Sequence, residues 1–344
     1  MHDQRSVRYG MLLLIAGTCV AIWGVAGLVR TSQSGWSGYA ASWDAVVTHI
    51  VADGPAAAAG LEVGDRIVSI DGTPIDGVWT RPSLRNVEVG GTQLLKVERG
   101  GERIAVEIAC VSTSKDIVRA GIVDGVVTLA FIGFGLWALL STQAPSALVL
   151  AIFGVLYGVA NFKGPYFGLP EGGVEFVRGN LSLFYTALLF HFLMIFPKPK
   201  GVFRRPVIVY LAYVPFLVFF AFGLARGFLY PAVAAGYATV GPVTDLLYMC
   251  LCLVALVHSC FSGTRSERRD SGIYLIPLGL AIAIVPLLVL ALVEMAVPRF
   301  VLPGHEYLPL LGIVIPGAMA LAVVKSVRSG RFPVLPDEQP AGAG

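Results

Sequence analysis

Apolar runs of about 18 or more residues, recurring along the chain with few charges inside them, constrain this sequence more than any other feature. A helix rises about 1.5 Å per residue, so a run of that length covers the roughly 30 Å of a bilayer's hydrocarbon. Backbone polar groups find no water there, which makes helices the default. Of 344 residues, 56% are hydrophobic and 14% charged, more apolar surface than one soluble core would bury, so the composition points to a membrane protein. Eight spans are predicted, at residues 9–29, 119–141, 146–163, 180–197, 206–225, 236–260, 272–296 and 307–325. Arg5 and Arg8 precede the first, as in a signal peptide, but it is long enough to span and has no small-x-small cleavage site, so it reads as a retained anchor. The link at 141–145 is so short that the second and third spans must form a tight hairpin.

The basic residues supply an orientation, because Lys and Arg accumulate in short cytoplasmic loops. Arg5 and Arg8 precede span one; Lys198, Lys200, Arg204 and Arg205 follow span four; Arg265, Arg268 and Arg269 follow span six; Lys325, Arg328 and Arg331 follow span eight. With eight spans every cluster falls on one side, which places both termini in the cytoplasm and residues 31–117 outside. The layout is then a cytoplasmic N-terminus (1–8), an anchor (9–30), an extracytoplasmic domain (35–115), a seven-helix membrane block (118–327) and a disordered cytoplasmic tail (328–344), rich in Pro, Gly and Ala. A net charge of +3 with no basic face or tail gives nucleic-acid binding no support. Cys19, Cys250, Cys252 and Cys260 lie in apolar runs and Cys110 ends a predicted strand, so no disulfide framework or metal pair can be read from them. Neither a metal nor a cofactor is expected.

Within residues 35–112 the pattern changes to strands and glycine turns. Residues 45–51 read as a strand, Asp53-Gly54-Pro55 as a turn into a short helix at 56–59, and Gly60 as its left-handed terminator. Leu61 is the expected core plug. A second strand is predicted at 66–70, followed by Asp71-Gly72, a two-residue hairpin signal. A helix is expected around 82–87, then a hairpin of 93–98 with 103–108 in which Ile104, Val106 and Ile108 alternate inward. The run from Asp53 through Gly60-Leu61, Gly64-Asp65 and Asp71-Gly72 to Ile75 resembles the central motif of bacterial PDZ domains. Its glycines and Asp65 are fold determinants. The resemblance implies a groove in which a peptide C-terminus adds as a strand beside a sheet edge, its carboxylate held by backbone N–H groups of a loop. That loop would be Trp36, Ser37, Gly38 and Tyr39. Trp36 and Tyr39 also suit the membrane interface, being a few positions from span one; a groove pressed against the bilayer would favour a lipidated or membrane-borne ligand.

Leu189-Phe190-His191-Phe192-Leu193-Met194-Ile195-Phe196-Pro197 with its basic loop, and Arg265-Ser266-Glu267-Arg268-Arg269 before span seven, resemble the sensor half of competence-pheromone-type histidine kinases. Neither a phosphoacceptor histidine segment nor an ATP-binding motif is found, so kinase activity does not carry over. An intramembrane zinc protease needs His-Glu-x-x-His. His2, His49, His191, His258 and His305 are not so spaced, and no Gly-x-Ser-x-Gly serine has a plausible histidine, so no enzyme is expected. Ionisable groups inside spans are costly and often functional. Asp124, Asp245 and Glu294 fall in the outer half of the bilayer, with His191 nearer the cytoplasmic end; these four are the candidates for an outward-facing membrane cavity.

The expectation is thus an α-helical polytopic protein of a bacterial cytoplasmic (inner) membrane with one inserted PDZ-like α+β domain. It would sense a peptide, lipopeptide or envelope-protein signal and pass it to a separate cytoplasmic or membrane partner. The alternative is a non-sensory scaffold that recruits envelope proteins or a protease.

Overall fold

The computed structural model describes residues 4–42, 45–75, 87–166, 169, 171–200, 205–226, 231–262, 264–296 and 304–330. Residues 82–86 of the helix expected around 82–87, and the tail beyond residue 330, lie outside them.

The chain leaves its first helix, α1 (Gln4–Gln33), into a small α+β unit: β1 (Gly35–Trp36), β2 (Tyr39–Ala41), β3 (Val47–Ile50), α2 (Pro55–Ala58), β4 (Arg66–Ile70), β5 (Thr73–Pro74), β6 (Thr92–Arg99), β7 (Glu102–Ala109) and β8 (Val111–Ser112). Four strands form an antiparallel sheet in the order β5-β4-β6-β7, and β2 pairs with β3. The two sheets join where Val47 N–H donates to Asp65 O, Ile67 N–H to Ala45 O and Gly64 N–H to Val47 O, at 2.8, 2.8 and 2.9 Å.

Local chemistry sets these elements. Asp71 and Gly72 take φ of 48° and 81°, the pair of positive values that a two-residue hairpin turn requires, and Gly60 ends α2 at φ 80°. The Asp71 carboxylate accepts from Leu94 N–H at 2.8 Å, which locks the turn onto β6. Strand alternation turns Leu95, Val97, Val106 and Ile108 inward, with Ile104 half-buried, around Leu61, Ile67 and Ile70. Paired strands β1 and β8 close the unit at its base, where Thr113 Oγ1 also donates to Ser34 O at 3.2 Å, so the end of α1 lies beside the start of the next helix.

That helix, α3 (Lys115–Thr142), is capped by Ser114, whose hydroxyl accepts from Ile117 N–H. Gln143 in the left-handed conformation and Pro145 at the next helix's first turn make the expected tight hairpin with α4 (Pro145–Asn161). Their backbones touch at glycines: a Cβ on Gly135 would stand 2.8 Å from Leu150 O, and one on Gly154 2.9 Å from the carbonyl carbon of Phe131. There follow α5 (Glu171–Leu181), α6 (Leu183–Ile195), α7 (Pro206–Leu211), α8 (Val214–Arg226), α9 (Pro231–Phe261), α10 (Arg265–Ser271), α11 (Leu275–Ala296), a 3₁₀ turn (His305–Ile313) and α12 (Val314–Arg328). Phe131, Leu150, Phe192, Phe216, Ile273 and Val323 belong to one core shared by these helices, separate from that of the small domain.

Among the described residues six helices are long and apolar enough to cross a membrane: Arg8–Gln33, Lys115–Thr142, Gly173–Ile195, Val243–Phe261, Leu275–Val293 and His305–Arg328. The other two expected spans correspond to shorter apolar helices, Pro145–Asn161 and Val207–Phe222. The second of these is interrupted between α7 and α8 for a reason visible in the sequence. Pro215 has no N–H to give Leu211 O, and its ring would collide with that carbonyl, so α7 stops at Leu211.

Candidate functional site

The loop between β1 and β2 is shaped by Gly38, at φ 80°. Its carbonyl accepts from Val51 N–H at 2.9 Å, and the carbonyl of Ser37 accepts from Ala56 N–H at 3.0 Å, so both oxygens are used inside the domain. The N–H groups of Ser37 and Gly38 donate to nothing among the described residues. Trp36 covers this loop: its Cη2 lies 3.5 Å from where a Gly38 Cβ would be and 3.7 Å from the same point on Gly54. Tyr39 turns its side chain into the domain, where its hydroxyl donates to Gln93 Oε1 at 3.3 Å. Its backbone starts β2, and the edge of β2 opposite β3 has no strand partner among the described residues. Two N–H groups without an acceptor among the described residues, at the head of an open strand edge, can hold a carboxylate and extend the sheet by one chain.

This edge opens on a cavity of about 790 Å³ between the small domain and the helices. Trp36, Ser37, Tyr39 and Ala41 line it from the domain, and Leu28 and Thr31 from α1. Ile117, Asp124 and Thr128 of α3 form the opposite wall, with Phe162 and Lys163 after α4 and Glu171 and Glu175 on α5. Glu175 is answered: Tyr166 Oη donates to it at 2.9 Å, and Arg178 pairs with it while also donating to Ala160 O. Glu171 is not, its Oε2 being buried without a hydrogen-bond partner.

Of the four groups expected in a membrane cavity, Asp124 lines this one. Asp245 accepts a hydrogen bond from Thr186, the hydroxyl-bearing kind of partner that a carboxylate needs inside a helix bundle, although its Oδ1 has none. His191 Nδ1 meets Tyr213 Oη at 2.8 Å. Neither residue lines the cavity. Glu294 lies on α11, and its side chain is outside the described residues. Glu171 and Glu175 are not among the residues singled out from the sequence; their i, i+4 spacing, which puts both on one helical face, is the signal that could have found them.

Away from the cavity, Arg99 gathers three segments of the domain. Its guanidinium donates to both oxygens of Asp65 at 2.7 Å, to Glu62 Oε1 at 2.6 Å and to Gly60 O at 2.8 Å. Asp65, 2% exposed, also accepts from Glu62 N–H at 2.9 Å. The guanidinium beside it holds this carboxyl below the ordinary range. Among the described residues no three His, Cys, Asp or Glu side chains are placed to hold a metal ion.

The chain matches no curated protein, and no relative supports the likeness to sensor kinases. Residues 26–110 match the family described as PDZ domain, and the strand order, the glycine turns and the open β2 edge are those such a domain needs: the chain contains a PDZ domain.

Proposed function

We propose that this is a multi-pass protein of a bacterial cytoplasmic membrane whose extracytoplasmic PDZ domain captures a peptide or protein C-terminus, lipidated or free, and hands the event to the helices. The domain is the general basis, since PDZ domains bind peptide C-termini or proteins. One observation carries the rest: the β2 edge, with the unpartnered N–H groups of Ser37 and Gly38, faces a cavity whose far wall belongs to α3, α4 and α5. A ligand laid on that edge touches both halves of the molecule. Binding can therefore bias the helices, which is what a sensor requires and a tethered recruiting module does not. The chain acts in this reading by binding, without catalysis, and its output goes to a separate cytoplasmic or membrane partner.

The test uses the full chain in lipid nanodiscs with fluorescein-labelled peptides ending in valine. Free-acid peptides are expected to bind about tenfold or more tighter than their amides, the difference a charge-assisted hydrogen bond makes. Equal binding of acid and amide would remove Ser37 and Gly38 as carboxylate donors. Hydrogen exchange then separates the roles. A sensor shows altered protection in α10, at the opposite end of the bundle, when peptide binds; binding without any change there favours the scaffold.

Orientation is tested separately with single cysteines in a cysteine-free background. At Glu102, exposed at the start of β7, and at Ser266, exposed on α10, they are expected to label from outside and inside respectively. Labelling of both from one face sinks the eight-span arrangement.

A further inference from the structure

We propose that the cavity selects peptides carrying a basic side chain upstream of their free carboxylate, with Asp124 and Glu171 as the groups that meet the cation. This rests on the reading of the β2 edge as a peptide site. Two acids from different elements, α3 and α5, face one space, and among the described residues neither is paired with a cation. Asp124 is exposed to the cavity and takes part in no ion pair or hydrogen bond among the described residues. Glu171 has an oxygen with no solvent exposure and no donor, an arrangement that costs on the order of the lost hydrogen bond until a donor arrives. The first turn of α5 favours a negative charge at Glu171, which accounts for a carboxylate there but leaves the buried oxygen unpaired. Lys163 is the one basic residue among the described lining residues, against three acids, Asp124, Glu171 and Glu175.

Depth strengthens the assignment. Asp124 stands nine residues into α3, roughly 13 Å along its axis at 1.5 Å per residue. A carboxylate that far into a span is tolerated when it faces water or a partner rather than lipid, and here it faces the cavity. The surrounding surface from Leu28, Ile117 and Phe162 is apolar, which suits the aliphatic stem of a lysine and an aliphatic C-terminal residue, and the low-dielectric walls strengthen a pairing at the acids.

The experiment compares valine-terminated, fluorescein-labelled peptides bearing Lys, Ala or Glu at upstream positions, each as free acid and amide, on the full chain in nanodiscs. The Lys free acid is expected to bind about tenfold tighter than its Ala counterpart at some upstream position, with the Glu peptide weakest. Asp124→Asn combined with Glu171→Gln should bind Lys and Ala peptides alike, and Asp124→Glu should retain the preference, which a variant that merely misfolds would not show. Lys, Ala and Glu peptides of equal affinity, with acids still above amides, overturn the selectivity and leave the carboxylate site standing. Binding of no peptide in either form overturns the peptide site itself and this inference with it.

Discussion

Gly27→Val is expected to lift α1 off the helical block, to cost more than the usual 1–3 kcal/mol of overpacking (about 3 or above), and to abolish peptide binding. A Cβ at Gly27 collides with the carbonyl oxygen of Lys163 and would stand 2.7 Å from Gly164 Cα. These are backbone atoms of a segment already held from the same side: Trp23 Nε1 donates to Pro165 O at 2.9 Å, a Cβ on Gly24 would enter the ring of Phe162, and one on Gly164 would enter the indole of Trp23. No rotamer change can make room, so the 162–165 segment or the helix must move. Leu28, Phe162 and Lys163 all line the cavity, and displacement of either side removes part of its wall. Thermal unfolding in detergent together with the peptide titration measures both effects. Gly133→Ala on α3 is the control, because a Cβ there meets nothing within 4 Å and alanine is the better helix former, so stability should hold or rise slightly. A Gly27→Val protein with wild-type melting and wild-type peptide affinity would show that the seat of α1 does not shape the site.

What could be read in the sequence, and what could not, divides by the range of the interaction. Asp71-Gly72 and Gly60 announce their turns because positive φ is a local demand that few residues meet. The long apolar runs announce helices because bilayer thickness fixes their length, and Pro215 announces the break after Leu211. The cavity is built from α1, β2, α3, the 161–163 segment and α5, and no periodicity along the chain reports which of these meet. Position inside an expected span grouped Asp124, Asp245, Glu294 and His191, but position along a helix is one coordinate. The rotation of each helix about its axis is another, and packing sets it: Asp124 turns to the cavity, Asp245 to Thr186 and His191 to Tyr213. The same gap hid the partner of Asp65. The aspartate stood out at its turn, while Arg99, 34 residues further on, looked like an ordinary residue ahead of a glycine hairpin.

That pair yields the second large effect. Arg99→Leu is expected to make the PDZ domain the first part of the protein to unfold, and the difference from wild type should close in acid. In the wild type Arg99 ties Asp65, Glu62 and Gly60 O together, linking the end of α2, the start of β4 and the end of β6. Its removal leaves a carboxylate that is 2% exposed with the N–H of Glu62 as its remaining donor among the described residues, and burial then favours the neutral acid. The direction with pH follows from linkage. Wild-type Asp65 titrates below its ordinary 3.8, so the native state binds fewer protons than the unfolded chain in that region, and the contribution of the pair is present above about pH 5 and lost as pH falls through the lowered native-state value. In the variant the depressing guanidinium is gone, so protonation of Asp65 relieves a buried charge instead of breaking an ion pair. Acids that Arg99 does not touch are common to both proteins and cancel in the comparison, and Glu62, the other acid it touches, is exposed, where an ion pair contributes little. Urea titrations of the full chain, followed by a fluorophore on a cysteine at Glu102, should show the midpoints far apart at about pH 7 and converging toward about pH 3. A constant separation across that range would mean that Arg99 acts through packing alone, and that the ion pair with Asp65 contributes nothing to holding the domain together.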